Sequence, residues 1–387
     1  MSKRILVISP TPTHPSISGS RVRICMMISR MKALGHCVHF LHIEREPGDQ
    51  VQMKNAWGKN YHKLSYQLPK KSLFQRIRKK LKVLVNSESR YVFDIDDWWD
   101  DATNGSIESM SKQYHFDVVI VEYVFFSKAL KCFPQGVLKV IDTHDIFSDR
   151  HQIYLNKGVT PQWFSTTKKG EKKALDRADL IIAIQDEEGD IFKQLTSKPV
   201  KTIGHFVKLK PPGDYILSRK ILYVASKNPI NVQSIEWFIS EIFKKIRRAV
   251  PDSELIMAGN ICEIIPDVDG LTKLGLVDNL ESVYESAGVV VNPMLYGTGL
   301  KIKNVEALGY SKPLVTSPVG ADGLEDMSGY AFLVAKSPEE FAAHVVKLLT
   351  DEELNKTFAR HAYESACKWN EDISAQLDQA LRTVPPS

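Results

Sequence analysis

Lys220-Ile221-Leu222-Tyr223-Val224-Ala225 is an apolar run in the middle of the chain, and together with its C-terminal neighbours it decides the fold. A polar loop comes next, from Ser226 to Asn231. A helix is predicted from there to about Val250, because Ile235, Phe238, Ile239, Ile242 and Ile246 recur on one face. Glu254 to Ala258 is the next strand, and Gly259 ends it. A strand joined to the next strand through a helix is the parallel βαβ unit. The chain opens in the same way. A strand from Arg4 to Ser9 runs into a loop rich in Pro, Thr and Ser, then a helix from about Ser20 to Leu34 closed by Gly35, then a strand from Cys37 to Ile43. Asp117 to Val121, Val137 to Asp142, Val289 to Asn292 and Pro313 to Thr316 are further buried strands. Ser337-Pro338-Glu339-Glu340 begins a helical C-terminus. The expected class is therefore α/β, with two Rossmann-like doubly wound domains. Pro211-Pro212-Gly213, within Gly204 to Ser218, marks the hinge. Residues 1–205 form the expected first domain, 206–365 the second, and 366–387 a helical segment returning to the first.

Composition narrows the function. A chain of 387 residues with 43% hydrophobic and 25% charged side chains can build two ordinary cores. No apolar run is long enough to cross a bilayer. Lys3 and Arg4 precede Ile5-Leu6-Val7-Ile8, but that stretch is short and ends in Ser9-Pro10, so it reads as a first strand and not as a signal peptide. Cys25, Cys37, Cys132, Cys262 and Cys367 are scattered without CxxC pairs, which argues against a disulfide framework or structural zinc. A cytoplasmic protein is expected. The net charge of +5 is modest and no nucleic-acid module is visible.

Chemistry concentrates in Asn292-Pro293-Met294-Leu295-Tyr296-Gly297-Thr298-Gly299-Leu300-Lys301-Ile302-Lys303-Asn304-Val305-Glu306-Ala307-Leu308. A strand ends, two glycines turn the chain, and a helix is expected from about Leu300. The unpaired N–H groups and the dipole of a helix start attract anions. Lys301 and Lys303 in its first turn are unfavourable by roughly 0.3–1 kcal/mol each unless an anion binds, and a diphosphate would reverse that sign. Glu306 can bridge to the hydroxyls of a nucleotide's sugar, or pair with Lys303 at i, i+3 on a solvated face. In the plain reading Gly297 and Gly299 make an ordinary turn; binding is the reading taken.

Gly297 to Lys303 with Glu306-Ala307-Leu308, Lys312 to Thr316 and Val319 to Leu324 resemble the donor-binding signature of GT-B glycosyltransferases of the retaining family four. The likeness extends to Leu274 to Leu280, Tyr284 and Asn228-Pro229-Ile230-Asn231. It implies two Rossmann-like domains facing across a cleft, with a nucleotide-sugar in the second. Glu306 then matches the second glutamate of the family's E-x7-E motif and holds the donor ribose. The first glutamate, which helps hold the donor sugar, is replaced by Thr298. Lys227, with Lys301 or Lys303, would face the diphosphate, and Gly275, Leu276 and Val277 would lie beside the base. The donor-binding set implied is Gly19, Ser20, Lys227, Gly275, Leu276, Val277, Gly297, Thr298, Gly299, Leu300, Lys301, Lys303 and Glu306. The catalytic set is His144, Lys227 and Lys303.

His144 comes just after the strand ending at Asp142 and resembles the family histidine that contacts the donor sugar, although a histidine at a strand end is often only a structural hydrogen-bonder. Gly19-Ser20-Arg21 resembles the family's loop after the first strand; Ser20 also suits an N-cap. Glu122 and Arg150 are weaker candidates. Asp94-Ile95-Asp96-Asp97-Trp98-Trp99-Asp100-Asp101 invites a metal, but the resemblance implies none, nor any other cofactor, and a surface turn and helix start are expected. Leu73, Phe74, Ile77, Leu81 and Leu84 stand at helical spacing among Lys70, Lys71, Arg76, Arg78, Lys79 and Lys80. That basic segment is either a solvated charged face or a contact with anionic lipid on the inner face of the membrane.

The reaction implied is transfer of a sugar, with retention, to a glycan, lipid-linked or other hydroxyl acceptor, in polysaccharide biosynthesis. Lysines and N–H groups would stabilise the leaving diphosphate, and domain closure would align the acceptor and exclude water. The alternatives are another enzyme on the same scaffold, an epimerase or a phosphorylase, and a non-catalytic nucleotide-sugar-binding subunit that scaffolds another transferase.

Overall fold

Ile5, Leu6, Val7 and Ile8 are each at most 1% exposed, as strands buried on both faces of a parallel sheet must be. A computed structural model describes the chain except for residues 1, 17, 71, 157, 162, 214–216, 278, 298–299 and 383–387. In the first unit the strands are β1 (Arg4–Ser9), β2 (Cys37–Ile43), β3 (Tyr61–Leu64), β4 (Val118–Glu122), β5 (Leu138–Asp142), β6 (Leu180–Ala183) and β7 (Val200–Thr202). All pair in parallel in the order β3-β2-β1-β4-β5-β6-β7. In the second they are β8 (Lys220–Val224), β9 (Glu254–Ala258), β10 (Leu271–Gly275), β11 (Val289–Asn292), β12 (Leu314–Thr316) and β13 (Leu333–Val334). These too are parallel, in the order β10-β9-β8-β11-β12-β13. The strand order reverses between β1 and β4 in one sheet and between β8 and β11 in the other. Ligands of doubly wound sheets bind beyond the carboxyl ends of the strands at such points.

The chain divides into two compact units. The first comprises residues 1–16, 20–204 and 374–387, and the second 17–19 and 205–373. The last helix, Glu352–Arg382, begins in the second and ends in the first. The helix after β8 carries the expected apolar face, with Ile235, Phe238, Ile242 and Ile246 fully buried. It runs as Pro229–Trp237, a π-helical stretch Phe238–Phe243, and Lys244–Ala249. Ser337 caps the helix Pro338–Thr350 by accepting from the Glu340 N–H, as its sequence suggested.

Three local expectations need correction. The helix after β11 starts at Ile302, not Leu300: Leu300 tucks into the interior at 7% exposure, so the chain cannot turn helical before Lys301, which takes the N-cap place. The first helix, Gly19–Ala33, already includes Ser20, so Ser20 lies inside it and is not its N-cap. The acidic cluster does lead into a helix start, with Asp100 accepting from the Ala102 N–H, but it is anchored in the interior and is not merely a surface turn. Trp99 is 2% exposed and Ile95 3%, while Asp96 receives both Arg177 nitrogens, at 2.7 and 2.8 Å, and Lys173 at 2.8 Å. Those hydrogen bonds outweigh burial and hold the Asp96 carboxyl down at about 2.

Candidate active site

The turn after β11 is bolted down by buried amides. Asn292 Nδ2 donates to Asn304 Oδ1 at 2.8 Å, and Asn304 Nδ2 donates to the Gly320 carbonyl at 2.7 Å. Thr316 Oγ1 donates back to the Asn292 carbonyl at 2.9 Å. All three side chains are fully buried, so the start of the helix Ile302–Gly309 is tied to the ends of β11 and β12. Gly320 must lack a side chain, because a Cβ there would lie 1.9 Å from Thr316 Oγ1. Gly297 turns the chain at a φ of 139°. Thr298 and Gly299 lie outside the described residues.

On this frame sit two cations and an acid. The Lys301 ammonium is 3.8 Å from Asp322, and its side chain is 6% exposed. Lys303 Nζ donates to Asn231 Oδ1 at 3.2 Å and lies 4.8 Å from the centre of the Tyr223 ring. Burial, and then the charge of Lys301, bring the Lys303 ammonium down to about 7. One turn on, burial pushes the Glu306 carboxyl up to about 7. Among the described residues no ion pair joins Lys303 to Glu306, so the mundane pairing is not made. Beside Glu306, Tyr284 and Tyr310 stack with centroids 4.5 Å apart, and the buried Tyr284 hydroxyl has no hydrogen-bond partner among the described residues. A cation that barely holds its proton and an acid that barely loses one are poorly solvated as they stand. An anion at the lysines and hydroxyl donors at Glu306 would restore both charges.

The other residues expected of this half are placed less tightly. Lys227 is about half exposed, with Nζ 2.7 Å from Glu263, and its N–H donates to Asn260 Oδ1 at 2.8 Å. Its nearest charge is thus an acid, and the structure does not join it to Lys301 and Lys303. Gly275 ends β10 at a φ of 69°, where glycine costs nothing, and its carbonyl accepts from the Gly259 N–H at 2.7 Å. Leu276 beyond it is 57% exposed and Val277 half-buried.

In the first unit, Glu122 and Asp142 end neighbouring strands in register, and His144 stands two residues on at a φ of 63°. His144 Nε2 lies 2.5 Å from Glu122 Oε2, and the imidazole stacks on Tyr123 at 4.1 Å. Burial and then Asp142 push the Glu122 carboxyl up, while its contact with His144 works in the opposite direction. Ser20 bonds to the Tyr123 hydroxyl, which joins the first turn of the helix opened by Gly19 to the ring that stacks on His144. Arg23, which sequence reasoning missed, is 1% exposed. It donates to Asp142 through Nε at 3.0 Å and Nη2 at 2.9 Å, and to the carbonyls of Ile203 and Gly204. Its signal was available: Arg23 falls in the stripe of Met27 and Met31, on the apolar face of its helix. The ligand atoms of Glu122, Asp142 and His144 all lie within 4.8 Å, a spacing that suits a divalent ion. Arg23 already occupies Asp142 and Glu122 occupies His144, so the donor set is that of an internal charge network. Arg150 is held by Asp145.

Comparison with known proteins adds to this geometry. Residues 218–351 match the family described as glycosyl transferases group 1. That match falls within the second unit. A chain described as an uncharacterized 44.6 kDa protein in the cps region of Klebsiella pneumoniae is 23% identical over 372 residues, covering 89% of this chain and 90% of that one. Sucrose-phosphate synthase from Thermosynechococcus elongatus superposes with a TM-score of 0.67 at 15% identity, covering 98% of both chains. A TarM variant from S. aureus, in complex with fondaparinux, alpha-GlcNAc-glycerol and UDP, does so at 0.68 and 11% identity, over 98% of this chain and all of that one. The fold, with its two Rossmann-like domains, is therefore GT-B along the whole length.

Proposed function

We propose that this GT-B transferase moves a sugar from a UDP-sugar to a hydroxyl acceptor, with retention, in the synthesis of a surface glycan. The observation that carries the reading is the pair Lys301, buried, and Lys303, half-buried, at the start of the helix Ile302–Gly309, with Glu306 one turn below. The diphosphate sits against the lysines and the helix start, and the ribose hydroxyls donate to Glu306. As the bond from anomeric carbon to phosphate oxygen breaks, electrons pass to the diphosphate, and the two ammonium groups offset the charge that develops. The acceptor oxygen bonds to the anomeric carbon on the face the diphosphate leaves, and its proton departs with the product phosphate. Cations and a helix terminus serve without a metal. UDP in the TarM complex supports the choice of base, and the cps region of the Klebsiella relative supports a glycan product.

Release of UDP from UDP-sugars in the presence of a saccharide or lipid-linked acceptor tests the reading. His144→Ala is expected to keep donor binding within twofold and to lower transfer by about 10²-fold or more. Unchanged transfer in that variant removes His144 from the site. Donor binding without turnover under any acceptor favours the non-catalytic subunit, which Thr298 in place of an acid already suggests.

The site also predicts a pH profile. A bound diphosphate raises the Lys303 pKa, so binding takes up a proton above about 7 and affinity falls as pH rises. Hydroxyls donating to Glu306 favour its ionised form, so binding releases a proton below about 7 and affinity falls as pH drops. UDP-sugar affinity is expected to peak near neutrality, with each limb no steeper than about tenfold per pH unit. Calorimetry in several buffers would show it. Lys303→Met should flatten the alkaline limb and Glu306→Gln the acid limb.

A further inference from the structure

The segment from Lys70 to Val85 carries seven basic side chains and no acidic one, more positive charge than the net +5 of the whole chain. Its helix, Leu73–Val85, is firmly begun: Ser72 and Gln75 form a reciprocal capping box. What is unusual is how the helix is mounted. At about 100° per residue, Leu73, Phe74, Ile77, Leu81, Leu84 and Val85 fall within an arc of about 120°. That arc faces away from the protein, with Phe74 74% exposed, Leu81 58%, Leu84 82% and Val85 90%. The only half-buried side chains of the helix are Lys79 and Val83, on the opposite side. Lys79 donates to the Val92 carbonyl and lies 5.3 Å from the centre of the Phe93 ring. A cavity of about 1030 Å³ lies between the helix and the body, and Phe74 and Arg78, at the edge of the apolar arc, line it together with Gln75, Lys79 and Lys82. An amphipathic helix normally turns its apolar stripe to the core; this one is seated by its polar side.

The flanks indicate what covers the stripe. Arg78 borders the apolar arc on one side, Lys80 and Arg76 on the other. All three are exposed and, among the described residues, make no ion pair. Two copies docked stripe to stripe would bring these cations together. A surface that is apolar below and anionic at its rim satisfies stripe and flanks at once.

We infer that the helix Leu73–Val85 lies flat on an anionic lipid bilayer, with Leu73, Phe74, Ile77, Leu81 and Leu84 among the acyl chains and Arg76, Arg78 and Lys80 at the phosphates. This attachment is independent of the transferase reading, because it needs neither donor nor acceptor. The test uses the full chain and sucrose-loaded vesicles of phosphatidylcholine, alone or mixed equally with phosphatidylglycerol. The protein is expected to sediment with the mixed vesicles only, and to be released by high salt. Phe74→Ser with Leu81→Ser, and separately Arg76→Glu with Lys80→Glu, should each abolish sedimentation. Thermal unfolding should not move, since these side chains are exposed, and the thermal shift given by a UDP-sugar should persist. Wild-type protein left in the supernatant, or variants that sediment like the wild type, would overturn the inference. So would a dimer by light scattering that the Phe74→Ser, Leu81→Ser variant dissociates, with no lipid binding in either form.

Discussion

Lys303→Met is expected to raise the stability of the ligand-free protein while removing much of its response to a UDP-sugar. The two effects have one cause. Without a ligand, a cation is held at a helix start beside a second lysine, in surroundings that bring its pKa to about 7. Replacing it with an uncharged side chain of similar length relieves a cost of roughly 0.3–1 kcal/mol from the dipole alone. With the diphosphate bound, the same cation makes a charged hydrogen bond of about 1.5–3 kcal/mol, so affinity should fall ten- to a hundredfold. A ligand at a hundred times its dissociation constant stabilises the wild type by about 2.7 kcal/mol, and from about half to more than four-fifths of that would vanish. Glu306→Ala should weaken donor binding comparably, because the ribose hydroxyls lose their acceptor. The unliganded wild type has a further pH signature, which this variant should lose. The folded carboxyl sits at about 7, above its ordinary value, so its protonated form favours folding most at acid pH, and that contribution fades as pH rises through 7. Differential scanning fluorimetry with and without UDP-sugar reads all of these. Wild-type shifts in both variants would eliminate the lysines and Glu306 as the donor site.

The second large effect is on folding. Arg23→Ala should cost about 3–5 kcal/mol, the usual penalty for removing one partner of a buried ion pair. Asp142 would be left without its guanidinium, at 1% exposure, beside a Glu122 carboxyl that burial and Asp142 already push up. The carbonyls of Ile203 and Gly204 would lose their donors as well. Arg23→Lys should rescue little, since an ammonium cannot span a carboxylate and two carbonyls with fixed geometry. Urea denaturation measures this directly. A loss below about 1 kcal/mol would mean that the network relaxes around the gap.

How much of the molecule is legible in its sequence depends on whether a feature is local. The strands Arg4–Ser9, Cys37–Ile43, Glu254–Ala258 and Val289–Asn292 stand where their apolar runs predict, because burial on both faces leaves an unbroken signature. The turn at Gly297 and the lysines after it are visible for the same reason. β3, Tyr61–Leu64, escapes: it is an edge strand, its residues are only partly buried, and its composition is mixed. The helix start is predicted two residues early, because its place depends on Asn292, Asn304 and Thr316 meeting in space. Arg23 and Asp142 lie 119 residues apart, and only the fold joins them. The basic helix is legible as amphipathic, but nothing in its spacing tells which side faces the protein.

Because Asn304, Asn292 and Thr316 clamp the floor of the proposed nucleotide site, its lining would divide into parts that can drift and parts that cannot. The helix start is common hardware for any diphosphate. On that proposal, discrimination among bases and sugars falls to groups outside the clamp: the loop from Ser226 to Asn228, the stacked Tyr284 and Tyr310, and the exposed Leu276. Efforts to retarget the enzyme would do well to randomise those walls and leave the floor alone.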